Sequence, residues 1–295
     1  MHRFMTCAAL LSACLASHAA AGVRITQLNG SDGSGGNHTN EISFDGSRFK
    51  SVFVASDNPM MGAGLYVLGP KPNEIYMVNP ATRKYARFNP EEMQAMSPQM
   101  GDAGGQPEAT HADFEAEKQL DEAGPTLVGL PTRHYRYAIR YQETRQPRGA
   151  PMKMVSNVEI VNEFWATNAP ELATASGWKD PSDESAGDSN VQLQAVEREI
   201  AAHGFALKRV VTRKTKMSGM MAMMNMGGDA ERATMEITTL DRNASFAPGT
   251  FELPKGFAKV DLVNLMTGGA MPDLDAVPGD APSRAMPDLN DEPRD

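Results

Sequence analysis

Between residues 41 and 89 the chain breaks into five short apolar runs, each closed by turn residues, and no long helix fits into that punctuation. The runs are 42–44, 49–54, 65–68, 75–78 and 85–88. Asp45-Gly46, Asn58-Pro59, Gly69-Pro70 and Asn79-Pro80 separate them, and such dipeptides supply the positive or fixed φ angles of tight turns. The pattern predicts an antiparallel meander that the later strands extend.

The first 21 residues have a different character. Met1-His2-Arg3 precedes an apolar run over 4–16 and a small-residue stretch ending at Ala21. This is the layout of a secretory signal cleaved after Ala21, too short to span a bilayer, and it predicts a periplasmic protein. A rival reading takes Leu11-Ser12-Ala13-Cys14 as a lipobox, which makes Cys14 a lipid-anchored N-terminus. Both cysteines, Cys7 and Cys14, lie in this segment. Cleavage after Ala21 therefore leaves no disulfide, thiolate metal site or cysteine nucleophile.

Loss of Arg3 takes the net charge of −9 to −10. An acidic chain lacks the basic footprint that nucleic acid requires, so nucleic acid is not an expected partner. No later segment has the length of a transmembrane helix. The expected organisation is a signal at 1–21, one domain over 22–262, and a Pro-rich tail over 263–295. Seven acids stand against two arginines in that tail, and 270–275 is nearly repeated at 285–290, which reads as disorder.

In chain order, 23–28 alternates as a first strand. The Gly-rich stretch 29–40 lacks the spacing of a phosphate loop and reads as a hairpin loop. Residues 90–96 suit one or two helical turns, and 111–123 predicts a surface helix with a thin apolar stripe of Phe114 and Leu120. The clearest strand is 133–141, with Tyr135, Tyr137, Ile139 and Tyr141 on one face and His134, Arg136, Ala138 and Arg140 on the other. Residues 155–165 should pair with it. A short helix is expected at 170–178, and 179–189 is an acidic loop. The strongest helix is 191–203, where Leu193, Val196 and Ile200 recur at helical spacing and Gly204 can end it. Two long strands follow, 205–217 and 230–242, joined by a Met-rich loop, and 246–260 closes the domain.

No catalytic motif is present: HExxH, GxSxG and the P-loop are all missing. His38, His111, His134 and His203 are spaced as structural or surface residues, and Glu159 and Glu163 share a strand face with Val161 and Trp165 without other signs of an acid–base pair. No cofactor is expected. Six methionines between Met217 and Met226 are open to three readings. Met220, Met221, Met223, Met224 and Met226 can offer thioethers to Cu(I) or Ag(I). They can equally form a pliable apolar surface for a lipid, membrane or protein, or a loop tucked over the sheet.

Four segments resemble a known family: Ile75-Tyr76-Met77-Val78-Asn79-Pro80 with Lys84-Tyr85, then Val128-Gly129-Leu130-Pro131-Thr132-Arg133-His134-Tyr135, then Glu163-Phe164-Trp165-Ala166, then Phe251-Glu252-Leu253-Pro254-Lys255-Gly256-Phe257. The resemblance is to an exported bacterial domain of unknown function, similar in pattern to the periplasmic lipoprotein-carrier (LolA/LolB-like) superfamily. It implies an α+β, mainly β fold of LolA-like type: a strongly curved antiparallel sheet, an incomplete barrel, covered by a few helices with an apolar cavity between. Carriers of that type hold acyl chains.

The combined expectation is a non-enzymatic binding protein for a lipid or other apolar small molecule. Its cavity would be lined by Tyr135, Tyr137, Ile139, Phe164 and Leu193, with the Met-rich loop as a lip. Two alternatives stay open. One is a Cu(I)/Ag(I) chaperone or sensor, and the other is an envelope assembly factor whose partner is a protein.

Overall fold

The computed structural model describes residues 22–32, 36–57, 62–88, 109–146, 153–172, 191–218 and 230–266. These residues form one curved, unclosed sheet of twelve strands with few helices, a mainly β fold. The strands are β1 (Gly22–Ser31), β2 (His38–Asp45), β3 (Arg48–Ser56), β4 (Tyr66–Lys71), β5 (Glu74–Asn79), β6 (Lys84–Arg87), β7 (Ala109–Ala123), β8 (Arg133–Arg145), β9 (Met154–Thr167), β10 (Phe205–Met217), β11 (Glu231–Ala244) and β12 (Ala258–Lys259). Their spatial order is β12-β6-β5-β4-β3-β2-β1-β11-β10-β9-β8-β7. Every neighbour is antiparallel except the two-residue β12, which runs parallel to β6. The order records two meanders joined where β1 pairs β11.

The meander is present as β2 to β6, but Gly69-Pro70, read as a turn, lies inside β4, and the chain turns instead at Pro72-Asn73, with Asn73 at φ 63°. Register is held by the pleat: Ile42 pairs Ser51, and Ser51 pairs Val67, so one face receives Ile42, Val67 and Met77 together. Phe49 lies across from Gly69, and its ring fills the space a side chain there would take. This half of the sheet is covered on both faces. On the inner face Phe53, Val67, Met77 and Ala86 pack against Leu262 and Leu265 of α2 (Leu262–Met266). On the outer face Tyr66, Leu68 and Val78 meet Leu253 and Phe257 from the closing segment. Packing on this face extends through α2 to Met266.

The expectation of a surface helix over 111–123 is overturned: these residues belong to β7, the edge strand. Ala, Glu, Lys and Gln favour a helix only by tenths of a kcal/mol per residue. A helix here would have had little apolar surface to bury, whereas the edge of β8 offers a full backbone ladder. The strand obtains it with bulges at Ala112/Glu115 and Lys118/Leu120. The first bulge places Asp113 at φ 51° and lets Phe114 stack on Tyr141, with ring centres 6.3 Å apart. Bulges and a row of acids also blunt this exposed edge against pairing with another chain.

The stronger helix is present as α1 (Val191–Ala202), ended by Gly204 at φ 107°. A single 3-10 turn, Pro170–Leu172, stands where a short helix was expected to begin. The turns expected at 90–96, the tail beyond 266 and the segment 1–21 lie outside the described residues. Among those described, no helix is long and apolar enough to cross a membrane.

Candidate functional site

Alternation along β8 sends Tyr135, Tyr137, Ile139 and Tyr141 to the inner face, and β9 answers with Phe164, Asn162, Ile160 and Val158 in direct register. This patch cannot be left to water, and α1 crosses it. Leu193 and Val196 reach down into the patch with Ile200 at its margin. The five residues expected to line a cavity are brought together here: Tyr135, Tyr137, Ile139, Phe164 and Leu193 are 5, 2, 2, 1 and 6% exposed. They touch one another and form an aromatic floor closed by the helix. Tyr135 stacks on Phe164 at 5.1 Å and on His203 at 4.0 Å.

The cover is pinned by a polar bridge that the sequence did not suggest. The Tyr137 hydroxyl lies 2.8 Å from Glu199 Oε1 and 2.7 Å from His203 Nε2. A phenol has one proton and an ionised carboxylate only accepts, so Tyr137 donates to Glu199 and His203 Nε2–H donates to the phenol oxygen. This defines the tautomer of His203. Burial, and then the Glu199 carboxylate, push the Tyr137 phenol far above its ordinary range. Burial likewise pulls His203 below its ordinary value of 6.5, helped by the Lys118 cation and opposed by Asp121 and Glu199. The available signal was helical spacing: Glu199 and His203 are four residues apart and flank the stripe of Leu193, Val196 and Ile200.

The other face of β8 and β9 is polar, as the alternation requires. His134 stacks on Trp165 at 4.3 Å and contacts Glu163 at 2.8 Å, and Arg136 donates to the same carboxylate at 3.1 Å. Burial raises the Glu163 pKa, but the hydrogen bonds from His134 and Arg136 outweigh it and hold the carboxyl below its usual range. Glu159 bonds Arg140 at 3.3 Å. The two acids are thus separate ion-pair partners. A groove of about 320 Å³ opens where Glu115, Arg140, Glu159, Lys214 and Lys216 meet Tyr141 and Val158 at the far end of the aromatic floor, with charges of both signs in its lining.

Met220, Met221, Met223, Met224 and Met226 lie outside the described residues. Among the described residues no group of three or more His, Cys, Asp or Glu is placed to hold a metal ion. No family model matches this chain, and no curated protein matches it.

Proposed function

We propose that this chain is a non-enzymatic binding protein of the bacterial envelope that holds an acyl chain or similar apolar ligand against the inner face, with α1 as a displaceable cover. One observation carries the reading: an unclosed sheet presents a contiguous aromatic floor that a single twelve-residue helix seals through a narrow stripe. The magnitudes favour displacement. Burying Leu193 and Val196 contributes about 1.5–3 kcal/mol each, and the Tyr137–Glu199 bond about 1 kcal/mol more. An acyl chain burying about eight methylenes at ~0.8 kcal/mol each matches that sum, so ligand and helix are comparable competitors for the floor. The export-like N-terminus accords with an envelope location, and the resemblance to lipoprotein carriers accords with an acyl ligand.

Native mass spectrometry of the full-length protein recovered from a Gram-negative periplasm tests the proposal. The expected result is added mass in the lipid range, released on denaturation, and rebinding of an acyl probe that Leu193→Asp strengthens by freeing the floor. A protein that carries no lipid and takes up no acyl probe, with or without Leu193→Asp, would overturn it.

A further inference from the structure

We propose that the β6–β12 edge of the sheet docks on the surface of an anionic phospholipid bilayer. The inference goes beyond the apolar-ligand reading and stands apart from it, since it concerns the outer face and needs no bound lipid. Register sets the patch: Tyr85 of β6 lies between Val78 and Lys259, and in the next row Tyr76 pairs Arg87. Directly paired residues share a face, so Lys259 and Arg87 stand on the outer face with the two tyrosines, whose rings meet edge-on at 5.9 Å. The turn before β6 adds Arg83, held at φ 54° with its guanidinium 5.8 Å from the centre of the Phe257 ring. Lys255 joins them from the closing segment, two positions before Phe257.

Arg83, Arg87, Lys255 and Lys259 are exposed, and among the described residues none of them is in an ion pair. The ring beside Arg83 attracts the guanidinium but leaves its charge uncancelled. Three acids belong to this edge: Glu74, 3.9 Å from Lys71; Glu252 of the closing segment; and Asp261, which accepts the Asn264 N–H at the start of α2. The other end of the sheet has the opposite sign, for β7 carries Asp113, Glu115, Glu117, Asp121 and Glu122 with Lys118 as its one fixed cation. Nine strands separate β6 from β7. Salt screens exposed charges beyond about 8–10 Å, so a chain that is acidic overall presents a local positive field at one edge. Aromatic content favours a bilayer over other polyanions. Tyr76, Tyr85 and Phe257 are half-buried among the cations, and amphipathic rings settle at head-group level while Lys and Arg meet the lipid phosphates.

The test floats the full-length chain with vesicles of phosphatidylcholine, alone or with about 30% phosphatidylglycerol, at about 50 mM and about 0.5 M salt. The expected result is retention by the anionic vesicles alone, lost at the higher salt. Each Lys or Arg near an anionic surface is worth about fivefold in affinity, so Arg83→Glu with Arg87→Glu should weaken binding at least about twentyfold. Lys255→Glu with Lys259→Glu should do the same, and decides alone should the first pair fail to fold. Lys214→Glu with Lys216→Glu makes an equal change of net charge on β10 and should leave binding intact; an equal loss there overturns the edge in favour of overall charge. Absence of binding to anionic vesicles overturns the proposal without touching the apolar-ligand reading. Binding that appears only after removal of residues 267 to 295 overturns docking by the whole chain and makes its acidic tail the occupant. Retention on polyaspartate beads as strong as on vesicles replaces the bilayer with an acidic protein segment, and loss of self-association in the Arg83→Glu/Arg87→Glu variant, with no vesicle binding by the parent, replaces it with the β7 edge of a second copy.

Discussion

Replacing Tyr137 with Phe removes one oxygen atom from the centre of the polar bridge and keeps the ring that packs on Phe164. The change leaves no cavity of consequence, so its cost is the loss of two hydrogen bonds. Their partners differ in access to water. Glu199 is exposed and recovers solvation, whereas His203 is half-buried and its Nε2–H loses its acceptor. The expected loss is therefore about 1–2 kcal/mol, the lower part of the range for bonds to charged and buried groups. For a domain of this size that lowers the melting temperature by roughly 2–8 °C. Urea unfolding at pH 7 by circular dichroism measures the first quantity, and amide exchange across α1 localises it. Unchanged stability with unchanged exchange in α1 would show that the bridge does not pin the helix. A loss beyond about 4 kcal/mol would show that Tyr137 acts through packing and not through its hydroxyl.

Three further outcomes are expected. Because His203 titrates below its ordinary 6.5, the unfolded chain binds its proton first as pH falls, and the protein loses stability from just above pH 6.5 downward; His203→Gln should flatten that part of the stability–pH curve, and an identical slope would refute the assignment. Gly204→Ala should cost at least about 1 kcal/mol, since φ is 107° and the new methyl would collide with Asn168 and Thr167, and an unchanged melting temperature would contradict this. Asp261 Oδ1 accepts the Asn264 N–H at 2.7 Å as the cap of α2, and that bond holds its carboxyl below the usual range. Asp261→Ala should cost about 1 kcal/mol at pH 7, with the difference from the parent shrinking as pH falls through the carboxylate range; a constant difference would argue against capping.

Local chemistry was legible wherever one residue's options were few. The turns at Asp45-Gly46 and Asn79-Pro80, the two-residue alternation of 133–141, and the helical spacing of Leu193, Val196 and Ile200 each declared their elements, and β10 spans the residues expected of it. The aromatic floor was legible for the same reason: Tyr135, Tyr137 and Ile139 must share a face once the strand is recognised, and a helix with an apolar stripe needs such a face to cover. Residues 111–123 went the other way because their helix propensity is weak and a free strand edge was available only in the folded sheet. Glu199 and His203 were visible as helix residues but not as a pair with Tyr137, more than sixty positions earlier.

What the sequence determined by itself is the succession of strands, turns and helix, since φ preferences and side-chain periodicity act over a few residues. What only the tertiary structure decided is which strands meet. Pairing β1 with β11 joins residues over two hundred positions apart, and that one choice makes a single sheet of the two meanders and sets Ile25 and Ile237 in one apolar cluster. Register is a long-range property: a shift of one residue reverses every side chain, and only the simultaneous burial of both meanders selects the pairing that is seen.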